Sequence, residues 1–292
     1  MSRERSRLLP FEELRGLAEQ LTVKLVMTPR IRFKTVAPKA TVGEARNIME
    51  KERFDQLPVE DKGKITGLVR CASISSASLD EYVDGYVNKP KHISETEPLS
   101  ELILSLESEH CVLVDNEGVV TGLIHRSDLN KQAIRIYFYL WLAAAEMGLS
   151  EMIKDEYGPD ETWIDKLSTQ SKVTVLGKHA LAQREGRDIH PIEYLDFSDL
   201  INVVTKDKEK KIWDKLGFTE KEWKEITGEL VEFRHTVMHP IRTLVNEDSD
   251  IKLLKDCDDH LRKLIEALHK VRKIDEPSLE NRAPGLSQGF SG

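Results

Sequence analysis

The chain has 292 residues, enough for two domains of ordinary size that each bury a hydrophobic core. Hydrophobic residues make up 39% and charged residues 32%, which is typical of a globular protein. The formal net charge of -8 excludes an overall basic field for nucleic acid, so any RNA or DNA must be bound by a local patch or in a dimer cleft.

The cysteines and the apolar runs indicate the compartment. Cys71, Cys111 and Cys257 are far apart and show no zinc-type spacing, so we interpret them as reduced thiols and predict no metal site. The N-terminus lacks a secretory pattern, and the longest apolar run, Ile136–Ala145, is too short to cross a bilayer. We therefore expect a cytoplasmic protein with no membrane partner, in which this run forms a fully buried helix.

In chain order, an N-terminal helix is predicted within residues 1–22, after which the chain repeats itself at a separation of about 55 to 57 positions. Each copy is predicted to contain an extended segment, a helix, two strands joined by a tight turn, and a final helix. In the first copy the helix begins at Thr41 and the turn is Lys62-Gly63. In the second, Pro98 opens the helix and the turn is Asn116-Glu117-Gly118.

Three motifs give this repeat a resemblance to a known family. They are Val26-Met27-Thr28-Pro29 before the first copy, Leu57-Pro58-Val59-Glu60-Asp61 in its second strand, and Gly122-Leu123-Ile124-His125-Arg126-Ser127-Asp128-Leu129 closing the second copy. With these motifs, residues 23–131 resemble a tandem pair of CBS domains, at about 23–80 and 88–131. The resemblance implies an α+β module, also called a Bateman module. The linker Ser75–Lys89 is then the last helix and loop of the first copy.

Pairs of this family bind adenosine nucleotides or related adenosyl compounds between the copies. The resemblance therefore implies AMP, ADP, ATP or S-adenosylmethionine as a regulatory ligand, and no other cofactor is expected. It assigns Asp128 to the ribose hydroxyls and His125 and Arg126 to phosphate, with Ile93 and Val112 as further ligand-binding residues. His125 departs from the usual threonine, which leaves its phosphate contact open.

The first copy departs further, because Ser73 stands where the ribose-binding aspartate is expected. A serine does not chelate a ribose diol as a carboxylate does, so we expect one good site and one degenerate site. An alternative stays open, in which Asp128 is only a helix N-cap and the pair is a structural or dimerisation module.

Beyond Asn130 the strand-like segments end and helical periodicity takes over. We predict an all-α domain of four or five helices over residues 132–273 and a disordered Pro/Gly/Ser-rich tail at 274–292. The predicted helices are Asn130–Glu156, Thr162–Gly186 with an interruption near Gly177, Pro191–Thr205, a helix from the capping box Thr219–Glu222, and Asp250–Val271. The expected apolar face of the first comprises Ala133, Ile136, Tyr137, Leu140, Trp141, Ala144 and Met147.

An arginine and a histidine stand five positions apart as Arg234 and His239, with His235 directly after the arginine. Arginine is a permanent cation suited to phosphate, and histidine exchanges a proton near neutral pH, so the pair suits phosphodiester chemistry. The spacing alone is a weak signal, because comparable pairs occur at Arg184–His190 and Arg262–His269. Context favours the first pair, which lies in an apolar helix with a defined start and a closing proline.

The stretch Glu232–Pro240 resembles the signature of the HEPN superfamily, and Tyr194–Leu200 resembles a segment of one of its branches. The resemblance implies a helical bundle that dimerises and, in active members, cleaves RNA without a metal in a shared cleft. Arg234, His239 and His235 are then the catalytic residues. His239 acts as general base or acid, Arg234 stabilises the phosphoryl oxygens, and His235 orients or donates.

The combined prediction is an adenosine-nucleotide-sensing, metal-independent endoribonuclease that acts as a homodimer and leaves 2',3'-cyclic phosphate ends. The alternative is a non-catalytic sensor whose helical domain dimerises or binds a partner protein, with Arg234 in an ion pair and His239 as a helix cap. Five positions on an ideal helix correspond to about 140° of rotation. Arg234 and His239 therefore share a site only if the helix ends near Pro240 or a second subunit completes the cleft.

Overall fold

The computed structural model of the protein describes residues 11–209 and 212–275. The predicted disordered tail began at residue 274, but Ile274 and Asp275 belong to the last helix. Residues 276–292 of that tail and residues 1–10 of the predicted N-terminal segment lie outside the described residues. Contacts divide the chain into two compact units. The mixed unit consists of residues 12–141 and 233–258, and the helical unit of residue 11, residues 142–232 and the chain from residue 259.

Every strand among the described residues lies in the mixed unit. Its elements are the helices α1 (Phe11–Glu19), α2 (Val42–Glu52) and α3 (Leu99–Ser108) and the strands β1 (Thr28–Pro29), β2 (Gln56–Asp61), β3 (Lys64–Arg70), β4 (His92–Ser94), β5 (Cys111–Asn116) and β6 (Val119–His125). One sheet has the order β1-β6-β5-β4, and a two-stranded sheet pairs β2 with β3. β5 and β6 are antiparallel, and β4 is parallel to β5. The predicted α+β class is confirmed.

The two predicted copies share their construction. Lys62-Gly63 joins β2 to β3, and Glu117-Gly118 joins β5 to β6, with positive φ at all four residues. Both strand pairs carry a register shift at the corresponding place, after Val59 and after Val114. This agreement in turn geometry and irregularity confirms the internal repeat.

A glycine in each copy allows the lead-in of the other copy to approach its sheet. A Cβ added at Gly122, where β1 pairs with β6, would lie 2.7 Å from Met27 Sδ. A Cβ added at Gly67 would lie 2.4 Å from the carbonyl oxygen of Asn88, which bridges to Leu68. The neighbouring chain thus occupies the place of a side chain at both positions.

The linker and the ends of the copies differ from the prediction. The final helix expected in each copy is a 3-10 turn, at Ala72–Ile74 and at Arg126–Asn130. The described linker 75–89 contains no α-helix. Its main chain instead bonds the segment that leads into α2, where the N–H of Val42 donates to the carbonyl of Glu81 at 2.8 Å. Carbonyls used in this way are not available to a helix.

From residue 132 onward the regular secondary structure of the described chain is all helical. Its α-helices are α4 (Gln132–Tyr157), α5 (Thr169–Arg184), α6 (Phe197–Lys206), α7 (Ile212–Lys215), α8 (Glu220–Met238) and α9 (Asp248–Asp275). The described residues thus form six helices rather than four or five, because the short α7 was not predicted. Gly177 lies within α5 without the expected interruption. The segments from Thr162 and Pro191 begin as 3-10 turns ahead of α5 and α6.

The first part of α4 is not fully buried, contrary to the prediction. Ile136 and Tyr139 are 51% and 47% exposed. The buried side instead includes Phe138, whose ring meets that of Phe233 edge to face with centroids 4.7 Å apart. Arg135 is also on the buried side, because its guanidinium bonds to main-chain carbonyls. A polar residue therefore helps to set the rotation of this helix, which an apolar pattern does not reveal.

The capping box that opens α8 is confirmed. The N–H of Glu222 donates to Thr219 Oγ1 at 3.2 Å, and the N–H of Thr219 donates to Glu222 Oε2 at 2.9 Å. The helix ends at Met238, ahead of Pro240. Residues 233–258 group with the mixed unit, whereas the predicted helical domain included them. The arginine–histidine motif and the predicted ligand turn therefore lie in the same unit.

Candidate functional site

The predicted ligand turn, His125–Asp128, follows β6. One carboxylate oxygen of Asp128 accepts the main-chain N–H of His125 at 2.8 Å, and the other pairs with Lys131 Nζ at 2.9 Å. His125 Nδ1 accepts the N–H of Ser127 at 3.2 Å, which completes a capping box. Asp128 therefore has the capping contacts of the alternative interpretation, and any ribose contact would be added to them.

Arg126 has a structural role that argues against its assignment to phosphate. Its guanidinium is buried and donates to the carbonyl oxygens of Leu106, Glu107 and Glu109 at 2.8–3.0 Å. The first two are carbonyls of the last turn of α3, which have no partner within the helix. Its Nη1 also pairs with Asp248 Oδ1 at 2.6 Å. Arg126 thus caps α3 and has little donor capacity left for a ligand.

A cavity of about 310 Å³ lies where corresponding ends of the two copies meet, and we call it the anion cavity. It is lined by Asp55, Gln56, Arg70, Cys71, Ala72, His110 and His125. Arg70 ends β3 and His125 ends β6. The repeat therefore brings two basic strand ends to one place. The volume falls in the range of roughly 300–1,000 Å³ that is usual for small-molecule sites.

Arg70 gives this cavity its positive charge. Its guanidinium makes no ion pair or hydrogen bond with another described residue. Burial lowers the pKa of the His110 imidazole, and the charges of Arg126 and Arg70 lower it further, against the opposing charge of Asp248. A bound anion would interact with Arg70 and would favour protonation of His110. The cavity is also lined by the acidic residue Asp55, so a negatively charged group would be favoured where it contacts Arg70 and the two histidines.

The remaining predicted ligand residues do not line the cavity. Ile93 in β4 and Val112 in β5 are buried, with 6% and 0% of their surface exposed. The hydroxyl of Ser73 donates to the carbonyl of Arg70 at 2.8 Å and accepts its N–H at 3.2 Å. Ser73 therefore closes the end of β3.

The arginine–histidine motif lies where α8 ends. Arg234 is half-buried, whereas His235 and His239 are exposed. The two imidazole rings meet edge to face with centroids 4.4 Å apart. Beyond the helix, the N–H of Arg242 donates to the carbonyl of His239 at 2.9 Å, which forms a turn. The regular helix ends one residue before His239, and the charge of Arg234 contributes to lowering the pKa of that histidine.

Desolvation lowers the pKa of His239, and the neighbouring charges of His235, Arg242 and Arg234 lower it further. A lowered pKa keeps the imidazole neutral at physiological pH, which is the form that a general base needs. The same positive charges would attract a phosphate. Both features are compatible with proton transfer beside an anion.

Arg135 was not predicted as a functional residue, yet its guanidinium donates hydrogen bonds to main-chain carbonyls at the end of α8. Its Nη1 donates to the carbonyls of Thr236 and Val237 at 2.7 and 2.9 Å, and more weakly to that of His239 at 3.4 Å. Its Nη2 donates to the carbonyl of Arg242. Arg70 and His110 were also missed. For Arg135, the sequence signal was a charged residue within the apolar start of α4. For Arg70, it was the position in the first copy that corresponds to His125 in the second.

Residues 11–209 and 212–275 contain no group of three or more His, Cys, Asp or Glu side chains arranged to hold a metal ion. Within the same ranges, no helix has the length and apolarity needed to cross a membrane.

The fold and the anion cavity define a duplicated module whose two copies meet at a ligand-sized site. The CBS domain family model matches this module at residues 23–80 and 84–134. The predicted tandem pair of CBS domains is therefore confirmed. The matched segments are well under half of the chain, and the HEPN resemblance of the remainder stays a prediction.

Curated relatives match a similar share of the chain. UPF0053 protein YhdP of Bacillus subtilis (strain 168) is 25% identical over 122 residues, which are 38% of this chain and 28% of that protein. Zinc metalloprotease MJ0392 of Methanocaldococcus jannaschii is 25% identical over 117 residues, or 40% of this chain and 33% of that protein. The chain thus spans about a third of the length of the curated relatives it matches.

Among solved structures, similarity is found to the CBS domain of the bacterial CNNM/CorC family Mg²⁺ transporter in complex with ATP. That match has 20% identity and a TM-score of 0.37, and covers 44% of this chain and 94% of that chain.

Proposed function

We propose that the tandem CBS pair binds an adenosine nucleotide and places a phosphate group in the anion cavity. The observation that carries this proposal is the half-buried guanidinium of Arg70, which has no ion pair among the described residues and shares a cavity with His110 and His125. A guanidinium matches phosphate oxygens in a two-pronged geometry, and imidazoles add further donors. Among the ligands of the CBS class, AMP, ADP and ATP supply a phosphate, and S-adenosylmethionine does not.

Calorimetry with AMP and with adenosine tests this assignment. We expect Arg70→Gln to weaken AMP binding by about 10- to 100-fold, because one charge-assisted hydrogen-bonding partner is lost. Adenosine binding should not change. Arg32→Gln is the matched control, because Arg32 is an exposed arginine of the same unit outside the cavity. Equal AMP affinity in wild type and Arg70→Gln would exclude the cavity as the phosphate site.

The arginine–histidine motif supports a second proposed function, metal-independent cleavage of RNA. The supporting observation is that Arg234, His235 and His239 are gathered at the end of α8, where their charges lower the pKa of His239. The resemblance to the HEPN superfamily supplies the reaction class. Adenosine nucleotide binding would then regulate this activity from within the same unit.

The chemistry is an attack by a ribose 2'-hydroxyl on its adjacent phosphorus. His239 accepts the hydroxyl proton while the bond from O2' to phosphorus forms and the bond from phosphorus to O5' breaks. Arg234 stabilises the charge on the non-bridging oxygens. A second proton, from His235 or from a histidine of a second copy of the chain, completes the departing 5'-hydroxyl. The products carry a 2',3'-cyclic phosphate and a 5'-hydroxyl.

An assay of single-stranded RNA cleavage with EDTA, with and without AMP or ATP, tests this activity. We expect His239→Ala to reduce the rate by at least about 100-fold, as for loss of a general base. Arg184→Ala is the control, because Arg184 belongs to a comparable arginine–histidine pair at the end of α5. Cleavage that is equal in wild type and His239→Ala, or absent from both under every ligand condition, would contradict the proposal. Light scattering of the same samples tests the proposed homodimer.

A further inference from the structure

The residues directly after the ligand turn make main-chain contacts with the segment that follows the arginine–histidine motif. Asn130 Oδ1 accepts the N–H groups of Leu244 and Val245 at 2.8 and 3.0 Å. Its Nδ2 donates to the carbonyl of Val245 at 2.8 Å. One amide side chain therefore bonds the loop between α8 and α9 as a neighbouring strand would, which fixes that loop to the end of the ligand turn.

Arg135, one turn further along, bonds the other side of the same segment. It donates to carbonyls on both sides of His239 and to that of His239 itself. Two of these are among the last carbonyls of α8, which have no partner within the helix, and a cation at a helix C-terminus is favourable. The guanidinium is buried, so these contacts replace water rather than compete with it.

The ligand turn is tied to the same region at one further point, where Arg126 pairs with Asp248 at the start of α9. Asp128 pairs with Lys131, which lies between the turn and α4. All of these groups belong to the mixed unit. A rearrangement of residues 125–128 would therefore act directly on the α9 end of the loop that carries His239, through Asp248. It would act on the rest of that loop along the chain, through Asn130 and Arg135.

We propose that Asn130 and Arg135 are positioning residues through which the state of the ligand turn controls the place of His239. This inference rests on the proposed function, in which His239 is the catalytic base and the ligand binds beside the turn. The new element is the regulation of that site, through the hydrogen bonds that Asn130 and Arg135 make to the main chain of the loop. Neither side chain touches substrate.

The positioning role can be detected through the pKa of His239, which depends on the groups that face this side chain. They are His235 by ring contact, the charges of Arg234 and Arg242, and Arg135 from α4 through the main chain. Desolvation and the positive charges of His235, Arg242 and Arg234 lower the His239 pKa. Displacement of the exposed His239 ring from these neighbours should therefore raise its titration midpoint.

Histidine resonances of the full chain, recorded by NMR between pH 5 and 8, provide the test, with His239 assigned from His239→Gln. We expect Arg135→Lys, which keeps the charge but loses the two-pronged geometry, to raise the midpoint of His239. Asn130→Ala should do the same without a change of charge, because it loses the hydrogen bonds to Leu244 and Val245. Gln132→Ala is the control, an exposed residue between the two on the same segment. An unchanged midpoint in both variants, with native circular dichroism, would overturn the positioning role.

A double-mutant cycle without nucleotide tests whether the ligand turn acts on His239 through Arg135. Asp128→Asn should shift the His239 resonance in the wild-type background and leave it unshifted when Arg135→Lys is present. An equal shift in both backgrounds, or none in either, would refute the coupling. Failure of the nucleotide proposal would appear separately, as absent AMP binding in calorimetry. Failure of the ribonuclease proposal would appear as absent cleavage, and neither result alters the NMR outcome.

Discussion

Arg126 Nη1 lies 2.6 Å from Asp248 Oδ1, which joins the predicted ligand turn to the first residue of α9. The Arg126 side chain is 11% exposed, whereas that of Asp248 is 73% exposed. The hydrogen bond from Arg126 is the largest influence on the Asp248 carboxyl and lowers its pKa below the ordinary value of 3.8. Desolvation opposes this with a smaller effect, and the Arg126 charge lowers the pKa further. The exposed carboxylate thus neutralises a buried guanidinium that caps α3.

This pair predicts a pH-dependent stability difference. A carboxyl with a lowered folded-state pKa contributes stability that is present above its unfolded pKa and is lost as the pH falls through the folded pKa. Asp248→Asn should therefore lower the melting temperature at pH 7, and the difference from wild type should shrink below about pH 3.8. Thermal melts between pH 3 and 7 measure this. Asp80→Asn, which removes an exposed carboxylate of the same unit, should show no such trend, and a constant difference for Asp248→Asn would contradict the assignment.

The ring contact of His235 with His239 predicts an effect on the second histidine. His235→Gln removes a group whose positive charge opposes protonation of His239, so the pKa of His239 should rise. If His239 is the base in RNA cleavage, the acidic limb of the pH–rate profile should move to higher pH. NMR titration measures the first effect and rates between pH 5 and 8 the second. Arg53→Gln, which removes one positive charge elsewhere in the unit, should leave both unchanged. An equal or lower His239 pKa would contradict the prediction.

The elements that could be predicted from the sequence are those fixed by near neighbours in the chain. The capping box at Thr219, the tight turns at Gly63 and Gly118 and the repeat itself were all read correctly, because each depends on residues a few positions apart. The linker helix was predicted wrongly, since its carbonyls bond the segment before α2. That contact lies about forty positions away and leaves no local pattern.

The candidate site was predicted less completely for the same reason. The identity of Arg126 suggested a phosphate donor, yet its contacts are with the end of α3, about twenty positions earlier. Arg135 reaches carbonyls about one hundred positions later. An arginine in the sequence indicates charge, and only the fold shows whether its donors are used by helix ends or remain available, as at Arg70.

The three cysteines predict a probe of the anion cavity. Cys71 is exposed and lines the cavity, whereas Cys111 is buried and burial raises its pKa to about 12. Cys257 is also buried. Because the thiolate is the reactive form, a thiol reagent should label Cys71 in the native protein far faster than the other two.

AMP should slow that labelling, and adenosine should slow it less, if the phosphate occupies the cavity. Mass spectrometry of the modified peptides measures the rate at each cysteine. Cys71→Ser should lose the rapid phase. Labelling of Cys71 at the same rate with saturating AMP would argue against ligand in this cavity.

The corresponding glycines of the two copies predict a graded loss of stability. An added Cβ at Gly67 meets the main-chain carbonyl of Asn88 at 2.4 Å, which cannot move without shifting the neighbouring chain. At Gly122 the atom met is Met27 Sδ at 2.7 Å, part of a flexible side chain that can rotate away. Gly67→Ala should therefore cost about 1–3 kcal/mol or more, and Gly122→Ala less.

Gly177→Ala supplies the control of opposite sign. Gly177 lies within α5, and an added Cβ there meets nothing within 4 Å. Alanine should stabilise this helix by about 0.5–1 kcal/mol, since glycine loses more backbone freedom on folding. Urea denaturation followed by circular dichroism measures all three variants. The two positions differ in the atom that an added Cβ meets, a main-chain oxygen at Gly67 and a side-chain sulfur at Gly122. If the Gly67→Ala protein were as stable as the Gly122→Ala protein, the close contact of the Asn88 main chain with Gly67 would be contradicted.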